Sequence, residues 1–205
     1  MLKLRFVCAL LIVGILLSAC GSSAAPEPPR LVRFKTVADV EEFIHAAEFT
    51  DSEYEAYREE KLKGSSPSTK EDAQKFAKMM ESVGYPIYAH PEEIENVSYD
   101  YNPDKNILDI IFRIHGVRYR FYYSKFQEYE KYLFDVKVAM CTIDGREYPV
   151  YKLTPWPYKI DQWLSTSVYA GGYEIEIAVM DAIEPSNLVL SDFSWSREME
   201  YMEKP

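Results

Sequence analysis

Basic side chains are in short supply in this 205-residue sequence. It contains 23 Lys and Arg residues against 33 Asp and Glu, which gives a net charge of -10 at pH 7. Proteins that bind nucleic acid depend on Lys and Arg to displace the counterions of the phosphates. The charge balance therefore argues against a nucleic-acid partner.

The sequence also lacks the short motifs that mark common active sites. It has no Ser-x-x-Lys and no Gly-x-Ser-x-Gly, so it signals neither a penicillin-binding serine nor a nucleophile elbow. Its 8 glycines form no phosphate-binding loop. We therefore predict no catalytic residue and no cofactor. A hydrolase whose paired carboxylates lie far apart in the sequence stays open.

Long apolar runs are missing as well. The N-terminal apolar run covers only residues 6–17, whereas about 20 helical residues are needed to cross a bilayer core. Lys3 and Arg5 precede the run and small residues follow it, which is the layout of an export signal. We predict that residues 1–19 are a signal peptide rather than a retained membrane span.

A cysteine stands where the apolar run stops, in the tetrapeptide Leu-Ser-Ala-Cys at residues 17–20. This tetrapeptide resembles the lipobox of bacterial lipoproteins. The resemblance implies that a diacylglyceryl group is attached to the Cys20 thiol and that the chain is cleaved before Cys20. The alternative is an ordinary secretory signal cleaved after Ala19 or Ala25. With the lipid attached, the protein is held at the cell membrane on its extracytoplasmic face, with the membrane as a partner through the anchor.

The residues after Cys20 separate the anchor from one folded domain. Residues 20–30 contain three prolines and no periodic apolar pattern, which favours a flexible tether. Residues 31–205 have the length and apolar content of a single globular domain. Cysteine is scarce here too: once Cys8 leaves with the signal and Cys20 is acylated, Cys141 has no partner for a disulfide.

Helical periodicity marks the first third of this domain. Residues 36–39 have the pattern of a capping box before a helix, a second helix is expected after Thr50, and residues 68–71 form another capping-box pattern. The third helix should end at Gly84.

From residue 94 onward the apolar period changes to two. A two-residue turn at His115 and Gly116 predicts a hairpin in which Phe112 faces Tyr119, and a turn at residues 103–106 predicts another. Further strands are expected at residues 134–143, 147–153, 163–169 and 173–179. The sequence thus predicts an α+β domain in which N-terminal helices pack on one face of an antiparallel meander sheet.

Two segments carry a second resemblance: HGVRYRFYYS at residues 115–124 and DQWLSTSVYAGGYEIEIAV at residues 161–179. With them, residues 85–180 resemble an uncharacterised domain found in small lipoproteins of Gram-positive bacteria. The resemblance implies an extracytoplasmic α+β domain and implies no activity.

The polar face of the predicted hairpin is the first candidate binding site. The turn at residues 115–116 places Arg113 opposite Arg118, with Arg120 two residues along, inside an acidic domain. Like charges directly opposite each other are unfavourable, so something must compensate. Either carboxylates of a neighbouring strand or of the C-terminal segment cover the arginines, or the arginines receive an anionic group of a ligand.

An aromatic loop at residues 154–163, TPWPYKIDQW, is the second candidate. Trp156, Tyr158 and Trp163 could present flat apolar surfaces to a carbohydrate or a protein. They could equally close the end of the core, because large aromatic side chains are usually buried.

The remaining histidine, glutamate and cysteine candidates do not predict a metal or catalytic site. Glu42 and His45 form one Glu-x-x-His, whereas di-metal bundles need two copies, so we predict no metal site. We interpret His90, before Pro91, and His115, in a turn, as structural. Cys141 would be reactive only if a neighbouring His or Arg lowered its pKa, and we interpret it as a small residue on a partly covered face.

Three function classes stay open. A non-catalytic lipoprotein that binds a ligand or partner needs only an anchored domain with one recognition patch, and we place it first. An accessory role in envelope assembly or sensing comes second, and a hydrolase with a non-local carboxylate site comes third.

The lipid anchor can be tested directly. Cys20→Ser removes the acceptor thiol, so we expect the variant to leave the membrane fraction and to escape processing by the lipoprotein pathway. The measurement is membrane fractionation, together with mass spectrometry of the N-terminal peptide of the mature wild-type protein. An unmodified Cys20 in that peptide would contradict the prediction.

Overall fold

One eight-stranded antiparallel sheet forms the centre of the molecule. The structure is a computed structural model that describes residues 29–126, 136–153 and 163–202. Within these ranges the chain also forms three α-helices, which follow the first strand of the large sheet, and a second sheet of two strands. The α+β class predicted from the sequence is confirmed.

The helices begin at capping boxes. Helix α1 spans Val37–His45, α2 spans Asp51–Lys61 and α3 spans Lys70–Val83. The threonine hydroxyl before each helix accepts a hydrogen bond from a backbone N–H of the first turn, and the threonine N–H donates one to an acidic side chain of that turn. These pairs are Thr36 with Asp39, Thr50 with Glu53, and Thr69 with Asp72.

The first two helix starts and the stop at Gly84 are confirmed, whereas the third start was placed one residue too early. The cap of α3 is Thr69 rather than Ser68. The Ser68 hydroxyl is instead buried and hydrogen bonded to the Tyr54 hydroxyl at 2.9 Å. Ser68 therefore joins α3 to α2 and is not available as a cap.

The large sheet has eight strands: β1 Val32–Phe34, β3 Ile94–Asn102, β4 Ile107–Ile114, β5 Val117–Lys125, β6 Val136–Ile143, β7 Arg146–Leu153, β8 Trp163–Ala170 and β9 Tyr173–Val179. They lie side by side in the order β1-β3-β4-β5-β9-β8-β7-β6. The small sheet pairs β2 Pro86–Tyr88 with β10 Phe193–Trp195.

The predicted register of the central hairpin is confirmed. Phe112 pairs with Tyr119, and His115 and Gly116 turn the chain with φ values of 51° and 79°. A turn with two positive φ values matches the right-handed twist of the strands it joins. Tyr101 pairs with Leu108 across the preceding turn, as expected.

The expected meander is present as two meanders side by side. Strands β3, β4 and β5 form the first, and β6, β7, β8 and β9 form the second. The chain passes from β5 to the far edge, starts again at β6 and winds back until β9 pairs with β5. All pairings in the large sheet are antiparallel.

The helices cover one end of the apolar face of the sheet. Phe43 of α1 and Phe76 of α3 pack against Tyr101 of β3, with ring centroids 6.3 and 4.7 Å away. Phe34 of β1 contacts both phenylalanines, with ring centroids 5.1 and 5.6 Å away. This aromatic cluster holds α1 and α3 on the sheet.

The middle of the same face is covered by the C-terminal part of the chain. Phe193 of β10 lies 5.7 Å from the ring of Phe112 and 5.1 Å from that of Phe121, and Trp195 lies 6.1 Å from Phe121. The chain then forms a β-bridge between Tyr201 and Ala170. Among the described residues, no helix combines the length and the apolar character needed to cross a membrane.

Phe112 tests this packing. Its side chain is 3% exposed and stacks on Tyr119 at 5.8 Å, so Phe112→Ala should lower the free energy of unfolding by about 3–5 kcal/mol through the cavity it leaves. Arg118→Ala, on the polar face of the paired strand, should change it by less than about 1 kcal/mol. Urea denaturation of both variants measures the difference. Equal losses would contradict this register and packing.

Candidate functional site

The three arginines of the central hairpin meet on the polar face of the sheet. Arg113 and Arg118 are directly paired across β4 and β5, as predicted. Arg120 donates two hydrogen bonds of 2.8 Å to the two carboxylate oxygens of Asp109. These hydrogen bonds raise the pKa of Arg120. Arg120 is therefore held in place by a carboxylate of the neighbouring strand.

The other two arginines share one carboxylate, Asp181, which follows β9. It lies 3.6 Å from the guanidinium of Arg113 and accepts a 2.7 Å hydrogen bond from the backbone N–H of Arg118. Arg113 also donates to the carbonyl of Gly116. In the described ranges no carboxylate forms an ion pair with the Arg118 guanidinium. Of the predicted anion site, Arg118 is thus the member left to contact a ligand.

Beside the arginines, two aspartates face each other across β3 and β4. Asp100 pairs with Asp109, and Arg33 lies 3.5 Å from Asp100. Burial raises the pKa of Asp100, the charge of Asp109 adds to this effect and that of Arg33 opposes it. Each aspartate of the pair has an arginine partner. This balance fits an ion-pair network better than a catalytic acid and base.

Of the three aromatic residues predicted as a binding site, the structure describes one, Trp163. Trp163 begins β8, is half-buried, and its backbone pairs with Leu153 at the end of β7. Trp156 and Tyr158 lie outside the described residues, as does Cys20. The predictions for these three residues stay predictions.

A surface pocket of about 620 Å³ opens beside the edge of the sheet. Its apolar walls come from β6, from β8 and from the segment after β9, and its charged groups come from β7 and that same segment. The residues that matter for its chemistry are Val138, Leu164, Ile183, Pro185, Lys152 and Glu184. Ligand pockets typically have volumes of about 300–1,000 Å³ and combine apolar walls with a few polar groups. The pocket has both properties.

Strand β6 also carries exposed apolar side chains. Val136 is 62% exposed, Val138 39% and Met140 47%. β6 is the last strand in the sheet order, and its register shifts between Lys137 and Ala139. The opposite edge is different, because the backbone of β1 and its neighbour Leu31 is hydrogen bonded to the loop before α3. The exposed apolar edge thus adjoins the pocket.

One cluster was missed by the sequence reasoning. The ligand atoms of His90, Glu92 and Glu93 lie within 4.8 Å of one another. The Nε2 atom of His115 lies 3.2 Å from the Glu93 carboxylate. The sequence signal was present in the His-Pro-Glu-Glu order, since Pro91 starts a one-turn 3-10 helix. The sequence alone did not show that this 3-10 turn lies beside the β4–β5 hairpin turn that carries His115.

The Glu42 and His45 pair, by contrast, lies in ordinary surface ion pairs. Glu42 is 3.4 Å from Lys61, and His45 is 3.5 Å from Glu48, three residues along the chain.

Cys141 lies on the inward side of β6 and is half-buried. Burial raises the pKa of its thiol to about 11, and the nearby Thr166 hydroxyl lowers it only in part. A thiol with so high a pKa is a poor nucleophile at neutral pH. This agrees with its interpretation as a small residue on a partly covered face.

Comparison with known proteins adds no relative. No protein-family model, no curated protein and no solved structure matches the chain. The resemblances described above therefore stay predictions.

The state of Cys141 can be tested with a thiol reagent. Because its folded pKa of about 11 leaves little thiolate at pH 8, iodoacetamide should modify it slowly there, and the rate should rise about tenfold per pH unit up to about pH 10. Mass spectrometry of the Cys141 peptide measures the rate, and urea-unfolded protein serves as the control. Fast modification at pH 7 that levels off below pH 9 would indicate an activated thiol instead.

Proposed function

We propose that this protein is a lipid-anchored extracytoplasmic lipoprotein whose domain binds a partner and carries out no catalysis. The lipobox at residues 17–20 supports the anchor and its location. The pocket beside β6 supports binding, and it is the observation on which the proposal chiefly depends.

The chemistry of the pocket favours a partner with an apolar body and at least one charged group. Val138, Leu164 and Ile183 offer apolar contact, while Lys152 and Glu184 offer one charge of each sign. Burial of an apolar group gives about 25 cal/mol for each Å² removed from water, and the charged groups fix its orientation.

The edge strand favours an extended protein segment as that partner. A segment that adds to the edge of a sheet gains main-chain hydrogen bonds and places alternate side chains in adjacent pockets. β6 is the last strand in the sheet order and carries the exposed Val136 and Val138 next to the pocket. A role in envelope assembly or sensing would use the same surface, and the partner's identity would define that role.

The hydrolase alternative receives less support. Asp100 and Asp109, an acidic pair on the polar face, are each paired with an arginine, Arg33 and Arg120. A catalytic acid and base need to exchange protons with a substrate, which such ion pairs oppose.

Site-specific crosslinking in intact cells of the source organism tests the proposal. A photoreactive benzophenone amino acid at Val138 should give a discrete adduct, because this side chain lines the pocket. The same amino acid at Glu59, exposed on α2, is the matched control and should give none. Ala182→Trp, which fills the pocket from an exposed position, should remove the adduct.

Two outcomes would contradict the proposal. One is the same adduct from positions 138 and 59, which would show non-specific contact. The other is an adduct at position 138 that persists in the Ala182→Trp variant, which would show that the pocket is not where the partner binds.

A further inference from the structure

Two of the protein's three histidines meet at one carboxylate. The chain has 3 His residues in all. His90 precedes β3, and His115 occupies the turn between β4 and β5. Both lie beside Glu93, although they are far apart in the sequence.

Local geometry brings His90 and Glu93 together. Pro91–Glu93 is a one-turn 3-10 helix, and the Glu93 N–H donates to the His90 carbonyl at 3.0 Å. Residues three apart in a 3-10 turn lie one above the other. Glu92 points to the same region, with a carboxylate oxygen 4.0 Å from His90 Nδ1. The turn therefore presents an imidazole and two carboxylates together.

Sheet register brings in His115. Ile94 pairs with Ile114 across β3 and β4, so the residues next to them, Glu93 and His115, become neighbours. His115 Nε2 lies 3.2 Å from Glu93 Oε2. The Tyr88 hydroxyl donates a 3.1 Å hydrogen bond to that oxygen and orients the carboxylate. A partner that orients a ligand in this way is typical of metal sites in proteins.

We propose that His90, Glu92, Glu93 and His115 bind a divalent transition-metal ion, with Zn²⁺ as the best fit. Zinc prefers four ligands in a tetrahedron at about 2.0–2.2 Å, which places neighbouring ligand atoms about 3.4 Å apart. The 3.2 Å between His115 and Glu93 already matches this spacing, and the 4.0 Å between His90 and Glu92 needs only a small side-chain movement. The three ligand atoms that lie within 4.8 Å of one another belong to His90, Glu92 and Glu93, so the exposed His115 ring has to turn toward this group to complete a tetrahedron.

The donor set distinguishes zinc from calcium and magnesium. Imidazole nitrogens suit zinc and its neighbours, whereas calcium takes six to eight oxygens and magnesium keeps several waters. Four protein ligands would close the coordination sphere, which is typical of a structural rather than a catalytic zinc. The metal would then join the start of β3 to the tip of the β4–β5 hairpin.

Imidazole NMR tests the site in the full chain. With ¹⁵N-labelled histidine, one equivalent of ZnCl₂ should shift and saturate the signals of His90 and His115 and leave that of His45 unchanged. His45 is the internal control because it lies at the end of α1, where it pairs with Glu48 and not with the proposed ligands. Zinc bound to a cysteine would shift none of these imidazoles, so the readout is specific.

Two variants give the matched comparison. His90→Ala with His115→Ala should lower the zinc affinity by more than about 100-fold, whereas His45→Ala should leave it unchanged. Both histidines of the site are more than half exposed, at 54% and 67%, so the double variant should keep its fold. Glu92→Gln, at a side chain 73% exposed, should weaken binding independently of any effect of the histidine changes.

The proposal would be overturned by any of three results. All three imidazoles could shift together without saturation, calcium could produce the same shifts as zinc, or the double variant could bind zinc as tightly as the wild type. In each case the four side chains would be an exposed ion-pair group and no metal site.

Discussion

The pairing of β5 with β9 is the contact that joins the two halves of this fold. On one side of it lie the helices and the β3–β5 meander, and on the other lies the β6–β9 meander. Phe121 pairs with Ile177 and Tyr123 with Ile175, and all four side chains are at most 1% exposed. The pairing closes a long loop of chain, whose entropic cost has to be offset by this burial. Without it, each meander would expose a new apolar edge.

Because the fold depends on a pairing between distant segments, only some of its parts could be predicted from the sequence. Caps, turns and hairpins depend on residues close together in the chain, so the register of Phe112 with Tyr119 followed from the His115-Gly116 turn alone. The pairing of Tyr123 with Ile175 has no such local signal, since a strand with alternating apolar residues pairs equally well with several others. The placement of β6 at the far edge was missed for the same reason. At Ser68 the opposite happened: the local sequence predicted a helix cap, but the hydroxyl forms a tertiary hydrogen bond with Tyr54 instead.

The candidate sites follow the same division. The opposition of Arg113 and Arg118 is a consequence of one hairpin and was predicted, and Asp109 lies on that hairpin too. The contribution of Asp181 was not predictable, because it requires β9 to lie beside β5. The histidine cluster required two local features, a 3-10 turn and a hairpin turn, to be combined through the β3–β4 register. Each feature was visible in the sequence, and only their combination was not.

The tip of the β4–β5 hairpin is held from two sides, and this connects the candidate sites. On one side, His115 contacts Glu93 at the start of β3. On the other, Asp181 contacts Arg113 and the Arg118 backbone, which fixes the beginning of the segment that lines the pocket with Ile183 and Glu184. Both contacts restrain a turn whose φ values are positive at His115 and Gly116. A non-glycine residue in that conformation costs free energy, so a turn of this kind persists where the surrounding contacts outweigh the strain. The charged residues around the tip therefore have a structural role, whichever ligand the neighbouring surfaces bind.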